Sequence, residues 1–240
     1  MSIPETPVIH LLCAGAAKGL VLALQAGFEA EHRARIEPTF GAVGALKEAL
    51  LAGAACDLML VTAALLDELC GAGWLRADTV AALGRVHTGI AVRAGMPLPD
   101  VATPEALKAT LLAAPALYFP DPARATAGIH FAGVLRQLGI HATLAPRFRT
   151  FENGATSMRE LAADTEASAA GVIGCTQVTE INYSAGVTLV GVLPQRFELA
   201  TVYSAALGRA AAEPVLAARL LALLTGPASQ GLRAAGGFES

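Results

Sequence analysis

Three short loops in the first third of the chain have the residue types that suit an anion-binding site. Each follows an apolar run that predicts a buried strand and precedes a helical pattern: Gly15–Gly19, Gly41–Gly44 and Thr62–Ala63. The N–H groups in the first turn of a helix have no partner within the helix and carry positive potential, so they attract anions. Small residues there let the backbone approach a ligand closely. The loops together predict a site for a small anion.

Lys18 is the most informative single residue for the chemistry of this site. The chain has only three lysines, and this one stands in an apolar stretch at a predicted helix start. It is either a pocket cation that pairs with a carboxylate or transfers a proton, or a surface lysine whose stem lies along the first turn. The sequence leaves both alternatives open.

The second half of the chain offers four further binding candidates at predicted strand ends and helix starts. Arg124 and Thr126 share a loop, where either could close over an anion and where Thr126 is also the predicted N-cap. Asn153 lies in a Glu-Asn-Gly turn, and Thr176 is predicted to cap a short helix after a strand ending at Gly174. A solvated arginine, a plain turn and ordinary helix caps are the structural alternatives.

Acid–base chemistry has Glu180 and His130 as candidates besides Lys18. Glu180 lies one helical turn beyond Thr176, where a solvated helix carboxylate is the favoured interpretation and a general base the alternative. His130 is the histidine nearest to a proposed site loop, although a structural or exposed position is the favoured interpretation. These residues do not single out one catalytic base.

Composition and motif spacing exclude several classes of function. The 240 residues carry a net charge of −3 and only 5% aromatic residues, which argues against a nucleic-acid-binding surface. The four cysteines and five histidines show no metal-ligand spacing, and no phosphate-loop or dinucleotide motif is present, so no metal and no cofactor are predicted. No apolar run reaches the roughly 18 residues of a membrane-spanning helix, so no membrane insertion is expected.

The N-terminal residues predict the location of the protein only conditionally. The first seven residues, MSIPETP, lack the basic region of a secretory signal. The chain as written is therefore expected to be cytoplasmic. If a leader has been removed, the expectation becomes periplasmic.

The order of predicted elements indicates an α/β fold in two lobes. Two consecutive strand–helix sets occupy residues 1–87 and 88–193, and a tail too small to be a domain follows. We expect this tail, residues 194–240, to return to the first lobe. Two lobes joined by two crossovers form a cleft, where small ligands commonly bind.

The chain also resembles the molybdate-type periplasmic solute-binding proteins over nearly its whole length. The resemblance rests on the order of several segments rather than on one motif: residues 12–20 (LCAGAAKGL), 40–46 (FGAVGAL), 52–59 (AGAACDLM), 89–93 (GIAVR), 99–107 (PDVATPEAL), 191–194 (GVLP) and 202–206 (VYSAA). It implies a two-lobed type II periplasmic-binding-protein fold. In that fold each lobe is a mainly parallel sheet flanked by helices, and two crossovers join the lobes.

The resemblance also implies an oxyanion pocket built from hydroxyl groups and backbone amides. Ala16 or Ala17 falls where the molybdate binders have a serine, and Ala42–Val43 replaces their serine-rich turn. Thr62 keeps a hydroxyl after the third strand, and Tyr203 matches a tyrosine of the family. Because hydroxyl donors are missing, we expect molybdate to bind poorly.

Two functions from different classes follow from these observations. The first is a solute-binding protein that closes on a small anion, a di- or tricarboxylate, in the interlobe cleft, with an ABC permease as partner if the protein is exported. The second is a cofactor-independent isomerase that moves a proton of a small polycarboxylate in the same cleft. The family likeness supports both, because it includes a branch that resembles aconitate isomerase.

Overall fold

Strands and helices alternate along the protein in the computed structural model, which describes residues 6–164 and 171–239. Numbered in chain order, the strands are β1 (Val8–Ala14), β2 (Arg35–Gly41), β3 (Leu58–Thr62), β4 (Ala81–Arg93), β5 (Leu117–Pro120), β6 (Phe148–Phe151), β7 (Ile173–Gln177), β8 (Val187–Val192) and β9 (Ala200–Leu207). The helices are α1 (Lys18–His32), α2 (Val43–Leu51), α3 (Ala63–Gly71), α4 (Pro104–Ala113), α5 (Thr126–Gln137), α6 (His141–Leu144), α7 (Gly154–Ala163), α8 (Val178–Tyr183), α9 (Pro214–Thr225) and α10 (Gln230–Gly236).

The chain folds into two compact units. Unit 1 comprises Met1–Arg85 and Val202–Ser240, and unit 2 comprises Val86–Thr201. The sequence places the boundaries after residues 87 and 193. The observed boundaries differ from these most at the second one, which follows Thr201. There the segment 194–201 belongs to unit 2, because Phe197 is buried in the same apolar core as Leu193. Strand–helix alternation gave no sign of this, since Phe197 lies in a 3₁₀ turn between two strands.

The sheet of unit 1 brings three strand ends to one edge. Its strand order is β2-β1-β3-β9, with β1 parallel to both β2 and β3. Ala14 pairs with Gly41, the last residue of β2. Strand β9 runs antiparallel to β3 and places Tyr203 opposite Thr62, so β9 begins at the edge where the parallel strands end. The helices that follow β1, β2 and β3 therefore all start at this edge.

In the sheet of unit 2 the parallel strands also end at one edge. Strand β5 is parallel to β6 and β7, while β4 runs antiparallel to β7 and β8. The carboxyl ends of β5, β6 and β7 consequently share one edge, which Pro120, Phe151 and Gln177 mark. Two buried clusters pack against this sheet. One contains Cys175 of β7 and Phe131 of α5. The other contains Tyr118 of β5 and residues of α7.

Two strands differ from the expected bounds. Strand β4 begins at Ala81, before the expected boundary between residues 87 and 88, because Leu83 and Val86 turn inward although Gly84 and Arg85 interrupt the apolar pattern. The strand expected to end at Gly174 is β7, which extends to Gln177. The extension is stabilised by pairing with β4, a contact that local sequence does not reveal.

The C-terminal helices contribute to the core of unit 1. Ala217, Leu220 and Leu224 of α9 are buried, and α9 contacts α1. Within residues 6–164 and 171–239, no single helix is long and apolar enough to cross a membrane. The bent pair Pro214–Thr225 and Pro227–Gly236 meets the length and composition only when its two parts are taken together.

Candidate functional site

The helix starts of unit 1 differ in whether a side chain caps them. Thr62, the N-cap of α3, accepts a hydrogen bond on its hydroxyl oxygen from the Leu65 N–H at 3.4 Å. Ala42, the N-cap of α2, has nearly the same backbone angles (φ −67°, ψ 148°, against −65° and 145° at Thr62) but no capping side chain. The first amides of α2 therefore receive no hydrogen bond from the N-cap side chain.

The start of α1 is likewise uncapped by a side chain. A 3₁₀ turn, Gly15–Ala17, joins β1 to α1, and neither Ala14 nor Ala17 makes a side-chain cap bond. The predicted contact residues Gly15, Ala16 and Ala17 form this turn and are buried. Gly41 ends β2 and Val43 begins α2, so these predicted contacts are grouped at the same edge of the unit 1 sheet.

Lys18 places a cation at that edge. Its Nζ lies 5.4 Å from the centre of the Phe40 ring, near the end of β2. An ammonium group over an aromatic face is attracted by the ring quadrupole, which holds the side chain near the helix starts. The side chain is half-buried. This geometry is compatible with the pocket-cation alternative, and the role of Lys18 in binding remains a prediction.

Tyr203 contributes to the core of unit 1. The residue is 2% exposed, and its ring meets Phe238 edge-on with the ring centres 6.4 Å apart. It lies opposite Thr62 in the β3–β9 pair, beside the strand ends. A ligand contact of Tyr203 therefore stays a prediction, and its packing is a role that the structure shows.

In unit 2, the start of α5 is built by the loop after β5. Asp121 organises this loop: its backbone oxygen accepts from the Ala125 N–H at 3.0 Å and its carboxylate from the Ala123 N–H at 2.7 Å. Thr126 was predicted as the N-cap, but Ala125 occupies that position, so α5 starts without a side-chain cap. Asp121 fixes the turn one residue earlier than the hydroxyl pattern suggests. Arg124 lies exposed in the same loop.

The two other predicted contacts of unit 2 are engaged within the protein. Asn153 caps α7, its side-chain oxygen accepting from the Thr156 N–H at 2.8 Å. Thr176 was predicted to cap a helix, but it lies inside β7 and is fully buried, because pairing with Gly89 of β4 continues the strand. Its hydroxyl donates to the Glu180 carboxylate at 2.5 Å.

Glu180 is a buried carboxylate rather than the solvated one expected. It is 5% exposed and accepts hydrogen bonds from the Thr176 hydroxyl and from the backbone N–H groups of Gly154, Ala155 and Gln177. Burial raises the pKa of Glu180 above its ordinary value, and these hydrogen bonds oppose the rise. The first amides of α7 are thus already occupied by a carboxyl group that the protein itself supplies.

Gly154 is required by this arrangement. A Cβ atom there would lie 2.0 Å from both the Glu180 carboxylate and the Thr176 hydroxyl. We expect Gly154→Ala to lower the free energy of unfolding by about 1–3 kcal/mol, the usual cost of overpacking. Gly27→Ala, in the open interior of α1, should instead raise it by about 0.5–1 kcal/mol. Denaturant unfolding measures both, and equal changes would contradict the crowding at Gly154.

His130 holds α5 to the segment before β9. Its Nε2 lies 2.7 Å from the Phe197 carbonyl oxygen, which can only accept, so the ring nitrogen donates this hydrogen bond. That nitrogen is therefore engaged structurally. Its use as an acid or base would require this contact to break.

Sequence reasoning missed Gln177, the last residue of β7. Its carboxamide is buried, and neither its oxygen nor its nitrogen has a hydrogen-bond partner among residues 6–164 and 171–239. The available signal was a glutamine that directly continues a strongly apolar strand. In the described parts of the chain, no group of three His, Cys, Asp or Glu residues is placed to hold a metal ion.

The sequence matches the family described as bacterial extracellular solute-binding protein over residues 9–239. The chain belongs to this family. This solute-binding protein is 27% identical over 172 residues to an aconitate isomerase of Pseudomonas sp., a match that covers 70% of its own length. The match spans 61% of that curated relative, so the relative's activity is not transferred by it.

Solved structures confirm the expected two-lobed type II fold of this solute-binding protein. The periplasmic molybdate-binding protein of Azotobacter vinelandii is similar with a TM-score of 0.78 and 16% identity, over 97% of this chain and 99% of that one. PEB3 bound to L-phospholactate gives a TM-score of 0.68 and 13% identity, over 97% and 99%. At these identities the likeness establishes the fold, and the ligand has to be argued from the site.

Proposed function

We propose that this protein binds a small di- or tricarboxylate as the substrate-binding component of an ABC transporter. The observation that carries the proposal is the position of the uncapped helix starts α1, α2 and α5, which follow the carboxyl ends of parallel strands. The missing cap alone does not distinguish them, since α6, α8, α9 and α10 have no side-chain cap either. Side chains cap α3, α4 and α7 through Thr62, Thr103 and Asn153, whereas α2 and α5 begin behind the alanines Ala42 and Ala125. First-turn amides without a side-chain acceptor are suited to receive a ligand anion.

The residues around these amides favour carboxylates over molybdate. Unit 1 offers backbone donors, the Lys18 ammonium and small apolar side chains at Ala16 and Ala42. The Thr62 hydroxyl oxygen accepts in its cap and leaves one O–H donor for a ligand. A tetrahedral oxyanion has four oxygens to satisfy, and each unpaired one costs about 1–3 kcal/mol. A di- or tricarboxylate divides its charge among groups of two oxygens each, and one such group pairs well with one ammonium.

Lys18→Ala is expected to weaken carboxylate binding about tenfold or more, because a hydrogen bond to a charged group is worth about 1.5–3 kcal/mol. In wild type, a thermal-shift panel should find di- or tricarboxylates that raise the melting temperature. Calorimetry then gives the affinities. We expect no submicromolar binding of molybdate.

Lys108→Ala is the matched control, since it removes the same charge from an exposed position of α4. Equal weakening by both variants would show an effect of net charge alone. A panel in which no carboxylate changes the melting temperature would refute the proposed ligand class.

Family membership also supports a place of action and a partner for the proposed binder. Extracellular solute-binding proteins act outside the cytoplasmic membrane, so we propose the same location here, with an ABC permease as the recipient of the ligand. Fractionation of the native host tests this. Recovery of the full-length protein only from the cytoplasm would contradict it.

A cofactor-independent isomerase is the second candidate, and the similarity to an aconitate isomerase favours it. An allylic proton shift needs a base and a returning acid within reach of the substrate. Glu180 already accepts four hydrogen bonds and His130 already donates one, which leaves Lys18 as the strongest of the three predicted candidates. Interconversion of cis- and trans-aconitate, with deuterium exchange followed by NMR, tests this function. Binding without exchange would leave the transport role standing alone.

A further inference from the structure

The end of β7 contains a cluster of buried polar groups that the protein itself does not satisfy. Gln177 is 2% exposed, and both polar atoms of its carboxamide lack a partner within the described residues. Thr88 lies directly opposite it on β4, and its buried hydroxyl is likewise unpaired there. A third unpaired hydroxyl belongs to Thr179, two residues beyond Gln177. Buried polar groups are normally hydrogen-bonded, so this cluster requires an explanation.

The cluster lies at the same sheet edge as a helix start that no side chain caps. Ile173, Cys175 and Gln177 alternate onto one face of the sheet, and the first two pack in the core with Phe131 of α5. Strand β7 neighbours β5, and α5 starts from the loop after β5 at the same edge, without a side-chain cap. The unpaired carboxamide and the uncapped start of α5 are independent observations at one edge of unit 2.

A carboxamide requires two complementary partners. Its nitrogen donates and its oxygen accepts, so one ligand satisfies both only if it presents an acceptor beside a donor. A fully ionised oxyanion such as molybdate offers acceptors alone and leaves the carboxamide oxygen unpaired. A hydroxycarboxylate offers both, because its carboxylate accepts and its hydroxyl donates.

We propose that Gln177 is a specificity-determining residue that selects hydroxycarboxylates over carboxylates without a hydroxyl group. This inference rests on the proposed function and narrows its ligand class. Thr88 and Thr179 add hydroxyl groups that can reorient towards either kind of ligand atom. In this proposal the ligand supplies the partners that the Gln177 carboxamide lacks among the described residues.

Calorimetry on matched ligand pairs tests the proposal. We expect wild type to bind citrate about ten- to a hundredfold more tightly than tricarballylate, which lacks only the hydroxyl group, since a site built for a hydrogen bond penalises its absence. Malate and succinate form a second, smaller pair. Gln177→Met should reduce the preference to less than threefold, mainly by weakening the hydroxylated member.

A second readout separates this role from a structural one. Because the carboxamide is unpaired in the free protein, Gln177→Met should keep or raise the melting temperature measured without ligand. Gln195→Met, at an exposed glutamine of the same unit, should change neither quantity. A wild type that binds tricarballylate as tightly as citrate, a preference that survives Gln177→Met, or a large loss of stability overturns the inference. Failure of every carboxylate to bind would refute the proposed function instead.

Discussion

Replacing Glu180 with alanine is expected to cost this solute-binding protein about 4 kcal/mol of folding free energy or more, roughly 1 kcal/mol for each hydrogen-bond donor left without its acceptor. The donors are the Thr176 hydroxyl and the N–H groups of Gly154, Ala155 and Gln177. They join the start of α7 to the end of β7. Equilibrium denaturation measures the loss, and Glu160→Ala on α7 is the control, since its carboxylate pairs with the exposed Arg159 in the same helix.

The pH dependence of the same site has a definite sign. Because burial raises the pKa of Glu180, the folded state binds this proton more tightly than the unfolded chain does. The contribution of Glu180 to stability is therefore greatest below its unfolded pKa, about 4.3, and is lost as the pH rises through the folded pKa.

Glu180→Gln removes this titration. It also places the NH2 group of an amide among the Thr176 hydroxyl and the backbone N–H groups, which are donors themselves. We expect it to be less stable than wild type at pH 4, with a difference that shrinks as the pH approaches 7. A difference that grows over that interval would show a lowered pKa and contradict the role of burial.

The contrast between Glu180 and the loops of unit 1 shows what a sequence can predict here. The loops after β1, β2 and β3 were predictable because an apolar run, small residues and a helical pattern are all local, and parallel strands must end at one edge. Glu180 was assigned to solvent because its partners are not local. Gly154 and Ala155 precede it by more than twenty residues and approach it only when α7 packs against β7.

The positions of Thr126 and Thr176 were missed for a related reason. Hydroxyl residues favour N-caps, so each was assigned to a helix start. Asp121 fixes the loop before α5, and pairing with β4 carries β7 past Thr176. Both outcomes depend on contacts that compete with local propensity. The same competition placed residues 194–201 in unit 2, where Phe197 is buried.

Ala42→Asp is expected to abolish carboxylate binding, with a loss of at least a hundredfold, while the protein remains at least as stable as wild type. Ala42 has the backbone angles of Thr62, which caps its helix, so an aspartate there is placed to accept from the first amides of α2. The new cap should stabilise the helix by about 0.5–2 kcal/mol. It also occupies the donors proposed for the ligand.

The expected loss of binding has two sources. A hydrogen bond to a charged group is worth about 1.5–3 kcal/mol, and two like charges about 4 Å apart repel by about 4 kcal/mol near a protein surface. Ala42→Asn supplies a cap without the charge, so it should weaken binding less than Ala42→Asp does. The order of the two variants in calorimetry therefore separates competition for the amides from repulsion.

Thr103→Asp is the control for a carboxylate at a helix start, because Thr103 already caps α4 through the Ala106 N–H at 3.1 Å. It adds the same charge at a helix that the proposal does not use, and it should leave affinity unchanged. If the ligand anion binds at the uncapped start of α2, Ala42→Asp should lower the affinity and raise the melting temperature. Ala42→Asp protein that binds carboxylates like wild type would remove α2 from the site. An equal loss in Thr103→Asp would assign the effect to net charge.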